Sequence, residues 1–210
     1  GTLMVIGTPG EEGGAGKIRL LDAGVFDGVS AAMMFHPADR TLSWRRALAA
    51  AHVRVDFRGV AAHAAKNPAD GRSALAAMIQ FFVAIDGMRQ HIPDQARIHG
   101  IIRHGGDAPN VVPEFTSGEF YVRDTTSVSA AALVERVEAC ARGAAVATGT
   151  SHELIHTAPM YTERQNNMAM ASALAAYLED LGVDVEAASL FHPAGSSDIG
   201  NVSLRMPTIH

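Results

Sequence analysis

Along residues 51–59 (AHVRVDFRG) apolar and polar positions alternate, with Val53, Val55 and Phe57 on one side and Arg54, Asp56 and Arg58 on the other. A repeat of two predicts a strand with one face covered and one open. Residues 70–91 follow the helical rhythm instead, with Leu75, Met78, Ile79, Phe82 and Ile85 in phase. Residues 98–103 and 115–123 predict two more strands, 127–148 a second long helix and 151–156 a closing strand. The order β-α-β-β-α-β is the split βαβ, ferredoxin-like plan.

On either side the rhythm changes. Residues 2–8 (TLMVIGT) and 31–35 (AAMMF) are short, apolar and β-prone, so both predict buried strands. A glycine-rich turn leads from the first into a helix over 15–23, with Ile18 and Leu21 on one face and Gly24 placed to end it. Later, residues 167–182 predict a helix with Leu174, Tyr177, Leu178 and Leu181 in phase, followed by a strand over 183–187. A small-residue loop over 193–200 (PAGSSDIG) and a weak strand over 202–204 come next. The fold class expected is α/β: a domain formed by residues 1–46 and 159–210, interrupted by an inserted domain at 47–158.

Composition narrows the function classes. The chain has 210 residues, 48% of them apolar and 19% charged, which excludes overall disorder. A net charge of −5 with scattered Lys and Arg argues against nucleic acid. The single cysteine, Cys140, excludes a disulfide framework and reads as a buried structural thiol in a helix. No apolar run approaches the ~20 residues of a membrane span. No signal peptide is visible and a cytoplasmic location is expected, although a chain opening Gly1-Thr2-Leu3 reads as an interior segment of a longer protein.

The candidate chemistry begins at Glu11-Glu12 in GTPGEEGGAGK (7–17). Adjacent side chains in a turning backbone point different ways. One carboxylate can bind a metal while the other takes a proton from a water on it. The alternative is a solvated acidic turn before a helix, which the helix dipole favours. A phosphate loop is excluded because Ile18, not Ser or Thr, follows Lys17. His36 ends a predicted strand, where α/β sites lie, or is a satisfied structural histidine. His63 sits among alanines in GVAAHAAKNP (59–68). Asn110 lies in a turn that its own turn chemistry explains. Arg123 could clamp a carboxylate or form a surface ion pair. Ser196-Ser197-Asp198 lacks a nucleophile elbow, so serine hydrolysis is set aside.

Six runs in one order, GTPGEEGGAGK, MMFHP, FRGVAAHAAKNPADGRSALAA, IHGIIRHGGDAPNVVPE, FYVRDT and GSSDIGNVS…PTIH, resemble a known family. It is the co-catalytic zinc metallopeptidase and amidohydrolase family of aminoacylase, glutamate carboxypeptidase and auxin-conjugate hydrolases. The branch of aminobenzoyl-glutamate hydrolase and β-alanyl-lysine dipeptidase is nearest. The resemblance implies hydrolysis of an amide in an N-acyl amino acid or dipeptide-like substrate, with two divalent metal ions, zinc foremost and manganese or cobalt as alternatives. It implies Glu11 as general base, Glu12 and His36 as metal ligands, and His63 as a histidine that reaches the partner subunit's site. Asn110 and Arg123 would bind the substrate's polar end and carboxylate, and the 195–200 loop, with Ser197, would line the pocket. The inserted domain would make a homodimer and a lid. The family's remaining ligands belong to segments outside Gly1–His210, so the alternative is a catalytically silent, dimerising module. A metal-free binding protein on the same fold is a third reading.

Overall fold

In the computed structural model, which describes residues 1–190, 192 and 194–210, the alternating run around residue 55 is the strand β2 (Ala49–Arg58). Val53, Val55 and Phe57 are buried as the alternation requires. The opposite side is less open than expected, because His52 and Asp56 are also buried and only Arg58 is exposed. The chain divides into two units: a flanking unit (Gly1–Ala50, Thr125–Ser127, Pro159–His210) and an inserted unit (Ala51–Asp124, Val128–Ala158).

The inserted unit follows the ferredoxin-like order. β2 is followed by α3 (Ala74–Arg89), β3 (Arg97–His104), β4 (Phe115–Asp124), α4 (Ser127–Thr148) and β5 (Ser151–His156). The four strands lie in the order β3-β4-β2-β5. α3 begins four residues later than the helical rhythm suggests. Pro68–Asp70 forms a 3-10 turn first, and the Ser73 side chain then accepts the Ala76 N–H as an N-cap. Phe81 is the centre of the core, with Phe120 edge-on at 5.1 Å and Phe57 tilted at 5.9 Å between ring centroids. Val137, Ala141 and Ala144 of α4, the second long helix, are buried as well. Cys140 is half-buried rather than buried, and burial pushes its thiol pKa up.

The flanking unit departs more from expectation. The 2–8 run is not a strand: Leu3 and Val5 are 88% and 90% exposed, and only Ile6 tucks into a core. A strand needs a neighbour for its backbone N–H and C=O groups, and among the described residues none hydrogen-bonds to the backbone of this run. The 31–35 run yields a two-residue strand, β1 (Ala32–Met33), half-exposed to exposed rather than buried. Its parallel partner is β6 (Thr208–Ile209), absent from the sequence expectations. The 183–187 strand is absent, and Val202 and Ser203 belong to a short helix, α6 (Ile199–Ser203), with Leu204 as its C-cap, rather than to a strand. Pro193, at the head of the predicted small-residue loop, lies outside the described residues.

The helix α2 (Gly16–Asp22) matches expectation, and Gly24 follows it at φ 73°. α2 and α6 flank a small core of Phe26, Ile199 and Val202. α5 (Met168–Asp180), capped by the Asn167 side chain, does not bury the face its periodicity marked: Tyr177 is exposed, Leu174 and Leu178 are half-buried, and Leu181 just beyond the helix is exposed. No helix among the described residues is long and apolar enough to cross a membrane.

Candidate functional site

The Glu11-Glu12 turn is built by backbone geometry that its glycines permit. The single turn α1 (Glu11–Gly14) is kinked, with Gly10 at φ 73° and Gly13 at φ 85°, both in the left-handed region that glycine enters freely. Gly16 opens α2 against the preceding segment, and a Cβ there would sit 1.8 Å from the Pro9 carbonyl oxygen. Between them Ala15, fully buried, holds φ 52°, the one left-handed non-glycine among the described residues.

Two side chains distant in sequence fasten this turn. The Tyr161 hydroxyl accepts the Ala15 N–H at 3.2 Å and donates to the Glu11 carbonyl at 2.9 Å. The Asp198 carboxylate accepts the Lys17 backbone N–H and the Lys17 ammonium, each at 2.8 Å. Lys17 and Asp198 are only 2% and 0% exposed, so this is a paired buried charge, and removing one partner would strand the other. Burial raises the Tyr161 pKa, keeping its hydroxyl protonated and able to donate.

A cavity of about 420 Å³ in the flanking unit is lined by Glu11, Glu12, His36, Arg164, Ser197 and His210, among others. The structure thus brings four of the predicted residues together: Glu11, Glu12, His36 and Ser197. His36 Nδ1 lies 2.7 Å from the Pro37 carbonyl oxygen. A carbonyl only accepts, so Nδ1 carries the proton and Nε2 of the neutral ring keeps a lone pair, the arrangement common in metal-binding histidines. The Ser197 Oγ is buried without a hydrogen-bond partner among the described residues.

His210 and Arg164 were not singled out as site residues from sequence. The His210 ring lies edge-on to His36, with 6.1 Å between centroids, and neither of its nitrogens has a hydrogen-bond partner among the described residues. Burial, then the charge of Arg164, pushes its pKa down to about 3, so it is neutral at pH 7. Burial and then the nearby Arg45 lower the Arg164 pKa to about 10, which leaves it cationic. Nothing local in the sequence marks Tyr161 or Arg164, or gives Asp198, noted only beside Ser197, its partnership with Lys17, because each meets the 11–17 turn or its cavity from about 150 residues away or more.

The other three predicted residues belong to the inserted unit. His63 and Asn110 are on adjoining loops, joined by a bridge between His63 and Val111 and by the Ala64 N–H donating to the Asn110 carbonyl at 3.0 Å. His63 Nδ1 accepts the N–H groups of Ala65 and Lys66 at 3.2 and 3.3 Å, so in the neutral ring the proton sits on Nε2. Arg123 lies on the sheet, its guanidinium carbon 5.7 Å from the centroid of the Tyr121 ring. Tyr121 in turn stacks on His52 at 4.1 Å and meets His99 edge-on at 5.5 Å. Among the described residues no group of three or more His, Cys, Asp or Glu side chains is close enough to hold a metal ion. Glu12 and His36, the two predicted ligands, share only the lining of the flanking unit's cavity.

Comparison with known proteins agrees with the fold. Residues 45–148 match the peptidase dimerisation domain of the M20 family. The chain is 35% identical to the mouse Xaa-Arg dipeptidase over 99% of its own length and 49% of that protein. It is 39% identical to a p-aminobenzoyl-glutamate hydrolase protein of Escherichia coli over 73% of its own length and 32% of that protein. Among solved structures, the aminobenzoyl-glutamate utilization protein of Klebsiella pneumoniae superposes with a TM-score of 0.76 at 25% identity, covering 96% of this chain and 54% of that one. A dinuclear metal-binding M20 peptidase of Bacillus subtilis shares the fold at a TM-score of 0.64 and 21% identity, over 96% of this chain and 52% of its own. The chain spans about half the length of the dipeptidases it matches.

Proposed function

The chain belongs to the M20 peptidase family, and from that premise we propose that its parent protein hydrolyses an amide bond of an N-acyl amino acid or dipeptide-like substrate. The observation that carries the proposal is the shared cavity, in which a turn with two adjacent carboxylates faces the same space as His36 and Ser197. Glu12 and His36 would hold part of a centre of two divalent ions, zinc first and manganese or cobalt next, since carboxylate oxygen and imidazole nitrogen suit these metals. Such ions, when bound, polarise a carbonyl and acidify a water.

The chain's own residues have separate tasks. Glu11 accepts the proton of the attacking water and returns it to the leaving amine as the C–N bond breaks. His63 donates from Nε2 toward the carbonyl oxygen as negative charge develops there, in the partner subunit's site. Arg123 takes the substrate carboxylate with its planar fork, Asn110 holds the polar end, and Ser197 lines the pocket. Residues 1–46 and 159–210 are parts of the catalytic domain, and the inserted 47–158 domain makes the homodimer.

Glu11→Gln in the full-length enzyme should keep bound metal and lower turnover by about 10²–10⁴-fold. Wild-type turnover in that variant removes Glu11 from the role of base. A second reading has its own support in the absence of a three-ligand group among the described residues: this polypeptide alone is a dimerising, binding module without catalysis. Stoichiometric metal together with amidase turnover by the 210-residue chain would refute it.

A further inference from the structure

We infer that Tyr161 is the positioning residue of the Glu11-Glu12 turn, acting through a hydroxyl that clips the turn shut. The inference rests on the role proposed for Glu11. The hydroxyl bonds to backbone at both ends of this turn: it donates to the Glu11 carbonyl at 2.9 Å and accepts the Ala15 N–H at 3.2 Å. It therefore spans the two ends of the segment that carries both carboxylates.

That segment needs holding. Glycines at 10 and 13 make it supple, and the turn itself has non-helical angles at Glu12 and Gly13. Ala15 sits in the left-handed region at φ 52°, a conformation that disfavours a residue with a Cβ and persists only where its surroundings over-determine it. Tyr161 supplies the surroundings twice. Its ring packs in a small buried cluster with Ala15, Ile18 and Ala50, and its hydroxyl takes the Ala15 N–H. Tyr161 is itself fixed by a backbone bridge to Ala50, with reciprocal N–H to carbonyl bonds of 2.8 and 3.0 Å. The Lys17–Asp198 pair anchors the far side of the segment, so the turn is tied at both ends and its carboxylates are carried between.

Two measurements test this. In the first, hydrogen exchange is followed on the 210-residue chain and its Tyr161→Phe variant, which loses one oxygen and keeps the ring. Faster exchange confined to residues 9–17 supports the clip. Unchanged protection there, or faster exchange spread evenly over the flanking unit, overturns it. In the second, Tyr161→Phe, Glu11→Gln and the double variant are compared in the full-length enzyme. Removal of a residue that orients a reacting group should lower kcat by about 10–100-fold with KM little changed. The double variant should be no slower than Glu11→Gln alone, because both changes act on one group. Multiplicative losses, or a wild-type kcat for Tyr161→Phe, overturn the inference. A wild-type kcat for Glu11→Gln instead overturns the proposed base and leaves the exchange result standing by itself.

Discussion

His52 and His99 show what single residues contribute beyond their place in a pattern. Both lie against Tyr121, and in both burial, followed by the charge of Arg123, pushes the imidazole pKa below its ordinary 6.5. Arg89 adds to this at His99 and His99 adds to it at His52, while Arg97 stands directly across the strands from Arg123. The sign follows: the unfolded chain takes up these protons at higher pH than the folded one, so stability is complete above pH 6.5 and falls as pH drops below it. Thermal melting from pH 7.5 to 5 should show that loss, on the order of a few degrees. His52→Phe keeps the stack and should flatten part of the slope; an unchanged slope would exclude His52 as a contributor. The alternation around β2 revealed Val53, Val55 and Phe57 as core, but it left His52 on the open side. Its burial comes from a cross-strand aromatic neighbour that no local window contains. The same reasoning separates Glu11 and Glu12, visible as a motif, from Tyr161 and Asp198, whose contacts with that turn form only once the chain has folded.

At the scale of elements, the inserted unit was legible because each element there carries its own signal. β2 alternates, and α3 and α4 keep the helical rhythm over four turns or more; the start of α3 is the exception, because its Ser73 cap lies inside the 70–91 run. The flanking unit was not, because its elements are short and depend on partners. β1 and β6 are two residues each and exist only as a pair. The 202–204 run is apolar enough for a strand yet ends α6, with Leu204 as the C-cap, packed beside α2. Two substitutions probe the inserted unit. Ser73→Ala removes the bond to the Ala76 N–H and should cost about 1 kcal/mol, measured by denaturant unfolding. Gly100→Ala would place a Cβ 2.2 Å from the Phe120 ring in the core, and overpacking of this kind costs about 1–3 kcal/mol. A Gly100→Ala protein as stable as the wild type would show that the β3-β4 pair yields more readily than its register suggests.

At the scale of the whole molecule, the family assignment and the described residues give complementary expectations. A chain whose residues 45–148 match a dimerisation domain should sediment as a species of twice 22.1 kDa. A 22.1 kDa species at all concentrations would count against the homodimer. Two candidate ligands, Glu12 and His36, make a poor zinc site, so elemental analysis of the dialysed 210-residue chain should find well under two metals per protomer. The uncovered 2–8 run has a different consequence. A stretch reading Leu-Met-Val-Ile, β-prone, uncharged and with Leu3 and Val5 almost wholly exposed, has the composition of a segment that stacks with copies of itself. Produced alone, the polypeptide would present chaperones and proteases with a sticky flag, and a lysine in place of Val5 should raise the yield of dispersed protein without touching the clipped turn or the inserted sheet.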